Sequence, residues 1–237
     1  MNLAVRDRAA TSAAVATLAV AAIGWLVAVT RMNAMPNGSG IGVGLLSSFI
    51  GLWVVMMAAM MLPSAVPLIT GFVSTNQNHR AWPGTATLLA ASYILSWTAF
   101  GVAGYFVVSA IEAVRPQSMS WVIFAGAAIA LAGLYSFTPL QRGCMARCRA
   151  LCERPALKTG FVYGINCIGC SAGLMIALLV IGVSSIAWMV IVSAIVFMYK
   201  VVPMSGRVEN TIAIGLVAVG VWVAIGPSTV PGFLLPQ

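Results

Sequence analysis

Apolar residues fall along this chain into several runs of 18 or more, separated by short polar or Gly/Pro-containing connections. A run of that length crosses a ~30 Å hydrocarbon core at ~1.5 Å rise per residue. The pattern predicts helices over residues 11–30, 45–73, 85–109, 118–138, 159–181, 185–202 and 211–229. This is an all-α, polytopic transmembrane bundle of about seven spans. The connections include MPNGSG at 35–40, STNQNHRAWPG at 74–84 and the basic QRGCMARCRALCERPALK at 141–158. Together the spans consume nearly all of residues 1–237, so a single integral-membrane domain is expected. The run from Ala13 to Thr30 exceeds the 7–15 residues of a signal-peptide core and reads as a retained first span. Gly160/Gly164 and Gly169/Gly173 put small residues four apart on the fifth span, a signal for close helix packing. The sequence shows no internal repeat, and so lends nothing to the inverted-repeat architecture of many transporters.

Composition sharpens this reading. Hydrophobic residues make up 61% of the chain and charged residues 7%, against roughly 25% charged in a soluble domain. A water-soluble globule is excluded. The formal charge of +8 would suggest nucleic acid in a soluble protein, but here the basic residues read as an orientation signal. With the N-terminus in the cytoplasm, Arg6, Arg8, Arg80, Arg142, Arg147, Arg149, Arg154, Lys158, Lys200 and Arg207 fall inside, and only Arg31 and Arg115 outside. The C-terminus then faces outward. The expected surroundings are a lipid bilayer, with no nucleic-acid partner.

Candidate chemistry narrows by elimination. The four acids, Asp7, Glu112, Glu153 and Glu209, sit in loops or at span ends, and the single histidine, His79, is in a loop. Proton relays and cation-coupled carriers generally need buried Asp, Glu or His, so a proton-driven pump is disfavoured. No nucleotide-binding loop is present, which excludes an ATP-driven pump.

What remains is sulfur. All five cysteines lie between 144 and 170, and four of the 13 methionines crowd into WVVMMAAMMLPSAVP at 53–67. Cys144, Cys148 and Cys152 recur every four residues and form one stripe if their segment is helical. The neighbouring arginines favour the thiolate, the metal-binding form. Cys167 and Cys170 form a CxxC pair, NCIGC, inside the fifth span, where residues three apart share a face. On the second span, Met56 and Met60 are four apart, as are Met57 and Met61. Methionine in an apolar helix usually just fills space. Here, however, Pro63 and Pro67 follow, removing the helical donors to the carbonyls of Ala59 and Pro63, so a bend is expected. Such freed backbone is tolerated in a bilayer only where protein, water or a ligand meets it. Met60 and Cys170 lie at similar depths, ~20 Å and ~17 Å from the inner ends of their spans. Thioether and thiolate together select Cu(I). A cysteine-only site leaves zinc open.

The tryptophan followed by MMAAMMLPSAVP, then AGLYSFTPLQRGCMARC, then GINCIGCSAGLM and the WM of the sixth span resemble a large bacterial family. Its members are known as predicted metal-binding integral membrane proteins, some of them labelled copper chaperones. The resemblance covers roughly residues 45–205 in order and spacing. It implies a multi-pass protein of the bacterial inner membrane, with Met56, Met60, Met61, Pro63, Cys144, Cys148, Cys167 and Cys170 on the family pattern and Cys152 outside it. Two departures stand out. Ser171 and Ala172 replace a common cysteine and tryptophan, and Tyr199 replaces a common acid before Lys200. Members tend to be encoded beside a second protein, which implies a partner or metal acceptor.

The expectation is therefore a membrane protein that binds Cu(I) through Met56, Met60, Met61, Cys144, Cys148, Cys152, Cys167 and Cys170 and hands it on. Two alternatives stay open: a thiol-disulfide oxidoreductase using Cys167/Cys170 with the loop cysteines, disfavoured by a reducing cytoplasm, and an accessory subunit whose sulfur groups only pack.

Overall fold

The computed structural model describes residues 3–33, 46–75, 82–114, 121–150, 156–181, 186–201 and 206–225. They form eight helices and, among the described residues, no strand: α1 (Leu3–Asn33), α2 (Leu46–Thr75), α3 (Trp82–Val114), α4 (Trp121–Tyr135), α5 (Pro139–Ala150), α6 (Ala156–Ile181), α7 (Ile186–Val201) and α8 (Gly206–Ile225). Seven of these fall on the seven apolar runs. Four of them, α1, α2, α3 and α6, are long and apolar enough to cross a membrane, while α4, α7 and α8 contribute shorter apolar stretches.

The shortness of α4 has a local cause. The run expected over 118–138 stops being helical at Tyr135, where Ser136, Phe137 and Thr138 donate backbone hydrogen bonds to Gly133, Leu134 and Tyr135 at 3.0–3.1 Å. The chain turns there and starts α5. Thr138 caps the new helix, its hydroxyl accepting from the Gln141 N–H at 3.4 Å, and Pro139 takes the first helical position, where its missing N–H costs nothing. The basic segment is therefore not simply a loop, since its first half is a helix packed on α6.

Outward faces of the long helices carry Leu18, Ile23 and Leu26 on α1, Phe106 on α3 and Ile165 on α6, all exposed. Such faces suit a bilayer, where lipid supplies no hydrophobic drive for helices to associate and close packing of small residues has to hold them together. The main pairings follow that rule. On α1, Ala13, Ala21 and Ala28 are buried against α2, and a Cβ on Gly24 would stand 3.2 Å from the Ala59 backbone nitrogen. The α4–α8 seam is closer still, with Gly126 against the Gly220 carbonyl and Ala224.

Helix α6 uses its four glycines toward three neighbours. Gly160 meets Ser92 and the Leu89 carbonyl of α3, Gly164 meets Ser96 of α3, Gly169 meets Cys144 of α5, and Gly173 meets the Ala132 carbonyl of α4. The close packing expected from their spacing is present, and it places α6 at the centre. One large buried cluster joins α1, α2, α3, α5, α6 and α7 and contains the methionines of α2 together with Cys144, Cys167 and Cys170. A second, small cluster of Ile129, Ala132, Ala177 and Val223 joins α4, α6 and α8.

Candidate metal centre

Helix α2 stays helical through both Pro63 and Pro67, and Met56, Met57, Met60 and Met61 are all essentially fully buried. Below them Ser64 is buried as well; its hydroxyl donates to the Met61 carbonyl at 2.8 Å. Its own carbonyl accepts from the Tyr163 hydroxyl of α6 at 3.2 Å. Part of the backbone around the prolines is thus met by protein, as burial in a bilayer requires.

On α6, Cys167 is fully buried and Cys170 nearly so, and Cys144, Cys167 and Cys170 are all free thiols. The two members of the CxxC pair face different company. Cys167 Sγ lies 3.1 Å from the Tyr93 hydroxyl of α3 and accepts from Lys200 Nζ of α7 at 2.7 Å. Cys170 Sγ donates back to the Cys167 carbonyl at 3.2 Å. That carbonyl also takes the Ser171 hydroxyl at 2.6 Å, so the residue standing where a further family cysteine is common braces the turn between the two thiols.

Lys200 gathers this region. Besides Cys167, its Nζ donates to Ser64 Oγ at 3.1 Å and to the Tyr93 hydroxyl at 3.5 Å, and it stands 5.0 Å from the Tyr163 ring centroid and 5.7 Å from that of Tyr93. Four helices, α2, α3, α6 and α7, therefore meet at one amine. Within the described residues the groups it meets are hydroxyls, a thiol and aromatic rings, with no carboxylate. One turn along α3 from Tyr93, the Trp97 indole N–H is buried with no hydrogen-bond partner, while the Trp97 carbonyl accepts from Trp53 Nε1 at 2.9 Å.

The other side of the pair faces α5. A Cβ on Gly169 would come within 2.6 Å of Cys144 Sγ, so this sulfur lies directly on the CxxC segment. Gln141 Nε2 donates to the Cys170 carbonyl at 3.1 Å, and the Tyr135 hydroxyl donates to the Gly169 carbonyl at 2.6 Å. These two bonds draw on the carbonyls of the CxxC turn and fix α5 and the end of α4 over it.

Of the residues singled out in the sequence, the structure brings Met56, Met60, Met61, Cys144, Cys167 and Cys170 into one buried cluster. Among the described residues no three His, Cys, Asp or Glu side chains converge as a metal-binding group. Cys148 belongs to the backbone of α5, its side chain outside the described residues, and Cys152 and His79 lie outside them altogether. Sequence reasoning missed Ser64, Tyr93, Tyr163, Gln141 and above all Lys200, which it counted as an inner-face charge. The signal was present: an ionisable side chain in the apolar run IVFMYK is by default a functional candidate in a membrane protein.

Residues 50–223, well over half of the chain, match the PpoB2 family, described as copper chaperone. No curated protein and no solved structure matches the chain.

Proposed function

The chain belongs to this copper chaperone family, and from that premise we propose that it is a bacterial inner-membrane protein that binds Cu(I) as cargo through methionine and cysteine sulfur and passes it to a protein acceptor. The deeper set is Met56, Met60, Met61, Cys167 and Cys170; the set nearer the inner face is Cys144, Cys148 and Cys152. The observation that carries the reading is the burial of soft ligands in one large core cluster, two cysteines of α6 with the methionines of α2. Thioether and thiolate groups favour Cu(I) over hard cations, and burial away from water protects that oxidation state. Support for a relay between the two sets comes from Cys144, which lies against Gly169 between the two CxxC thiols.

The test is elemental analysis of protein purified without oxygen in mild detergent, beside a variant with Cys144, Cys148, Cys167 and Cys170 all changed to serine. Near-stoichiometric copper in the parent, lost in the folded variant, is expected. Parent protein that stays free of copper after Cu(I) is supplied overturns the reading.

A further inference from the structure

Cys167 and Lys200 are closer than an ordinary hydrogen bond between their atoms allows. An N–H···O bond typically spans ~2.9–3.0 Å, and sulfur is larger than oxygen, so an N–H···S bond should be longer. The Lys200 Nζ to Cys167 Sγ separation is 2.7 Å. A separation of this size suits a nitrogen and a sulfur that share a single bridging atom.

The surroundings favour chemistry at this pair. Cys167 is fully buried, which shields it from water-borne thiols and from overoxidation, while dioxygen, being small and apolar, dissolves in hydrocarbon. The Tyr93 hydroxyl at 3.1 Å from the sulfur and the Ser64 hydroxyl at 3.1 Å from the amine are placed to hydrogen-bond an oxygen set between the two. Cys170, the obvious rival for a bond to Cys167, donates its S–H to the Cys167 carbonyl but also lies near enough to interact with the Cys167 thiol, so a disulfide is the competing product.

We propose that Cys167 and Lys200 form a reversible covalent Sγ–O–Nζ bridge, an oxidative modification that removes Cys167 from the metal-binding set and ties α6 to α7. In its formation the Lys200 ammonium first releases one proton; the S–H bond and one N–H bond of the resulting amine then break, and S–O and O–N bonds form. Sulfur and nitrogen each give up two electrons, and one dioxygen accepts all four. One oxygen atom stays in the bridge and the other leaves as water with the two displaced hydrogens. Two reducing equivalents per bond cleaved, from a thiol or phosphine, restore thiol and amine and release the bridging oxygen as water. The bridge deepens the copper reading, since Cys167 is among the sulfurs assigned there. It forms without copper, however, so the two proposals fail separately.

The experiment is peptide mass spectrometry under non-reducing conditions on the full chain in detergent. Metal-free protein is kept reduced and anaerobic, exposed to air, or exposed to air and then reduced. A crosslinked peptide pair containing Cys167 and Lys200, heavier than the sum of the two by one oxygen and lighter by two hydrogens, is expected only in the air-exposed sample. It should persist in Cys170→Ser, vanish in Lys200→Met and disappear on reduction. A Cys167–Cys170 disulfide, an uncrosslinked sulfenic or sulfinic acid at Cys167, or an unmodified thiol after air exposure each overturns the proposal. If the bridge forms and the copper assay above is negative, the modification stands and the cargo assignment falls. If copper binds and no bridge forms, the reverse holds.

Discussion

Tyr93 shows how much a single hydroxyl links. It touches the Cys167 sulfur and receives a bond from Lys200, in a ring that also packs on Tyr163 at 5.4 Å between centroids. Tyr93→Phe keeps the ring and removes the hydroxyl, so thermal unfolding in detergent should show a loss of about 1 kcal/mol, the net worth of a typical hydrogen bond. Copper stoichiometry should be unchanged, because no sulfur is lost. At this scale the sequence exposed the sulfur groups well, since Cys167/Cys170 and the methionine cluster stand out by spacing alone. It hid their polar company, because tyrosine and serine in an apolar helix look like ordinary packing until another helix is placed beside them. Lys200 was visible but read only as an inner-face charge, and a charge count does not report which groups a side chain meets.

Among the elements, α6 sets the geometry by letting others approach. A Cβ at Gly164 would come 2.6 Å from Ser96 Cβ, so Gly164→Leu should force α3 and α6 apart at a cost of about 1–3 kcal/mol or more, read as a lowered midpoint of thermal unfolding. Gly104→Ala is the control. Nothing stands within 4 Å of its Cβ, and the better helix propensity of alanine should leave stability unchanged or raise it by up to about 1 kcal/mol. The glycine spacing on α6 was legible in the sequence, but its division among α3, α5 and α4 was not, since spacing identifies a close-contact face without saying which helix fills it. The start of α5 was likewise open to reading from Thr138 and Pro139 as cap and first helical residue. Its docking over the CxxC turn depends on Gln141 and Tyr135 reaching carbonyls of α6, contacts that no local pattern encodes.

For the molecule as a whole, seven apolar runs became seven apolar helices, of which four have spanning length among the described residues. Hydropathy marks where apolar chain is long enough, but the turn after Tyr135 is set by local hydrogen bonds, and so the fourth run is cut short. The excess of basic residues on one set of connections predicts the N-terminus in the cytoplasm and the C-terminus outside. Alkaline phosphatase fused after residue 237 should therefore be active in intact cells, and a cytoplasmic fluorescent reporter at the same place should be dark; the opposite result reverses the orientation.

The amine that gathers four helices has an electrical consequence. Among the described residues nothing negative by nature opposes Lys200, and a second uncompensated positive charge beside it would be costly away from water. A metal ion captured by a thiol displaces that thiol's proton. On the copper reading proposed above, a Cu(I) that enters the Cys167 region therefore leaves the charge of the bundle unchanged when one proton departs in exchange. On that reading, loading is electrically silent when the proton leaves by the face through which the ion entered: membrane voltage then neither pulls the ion in nor holds it back, while the proton concentration at that face sets how readily the site fills.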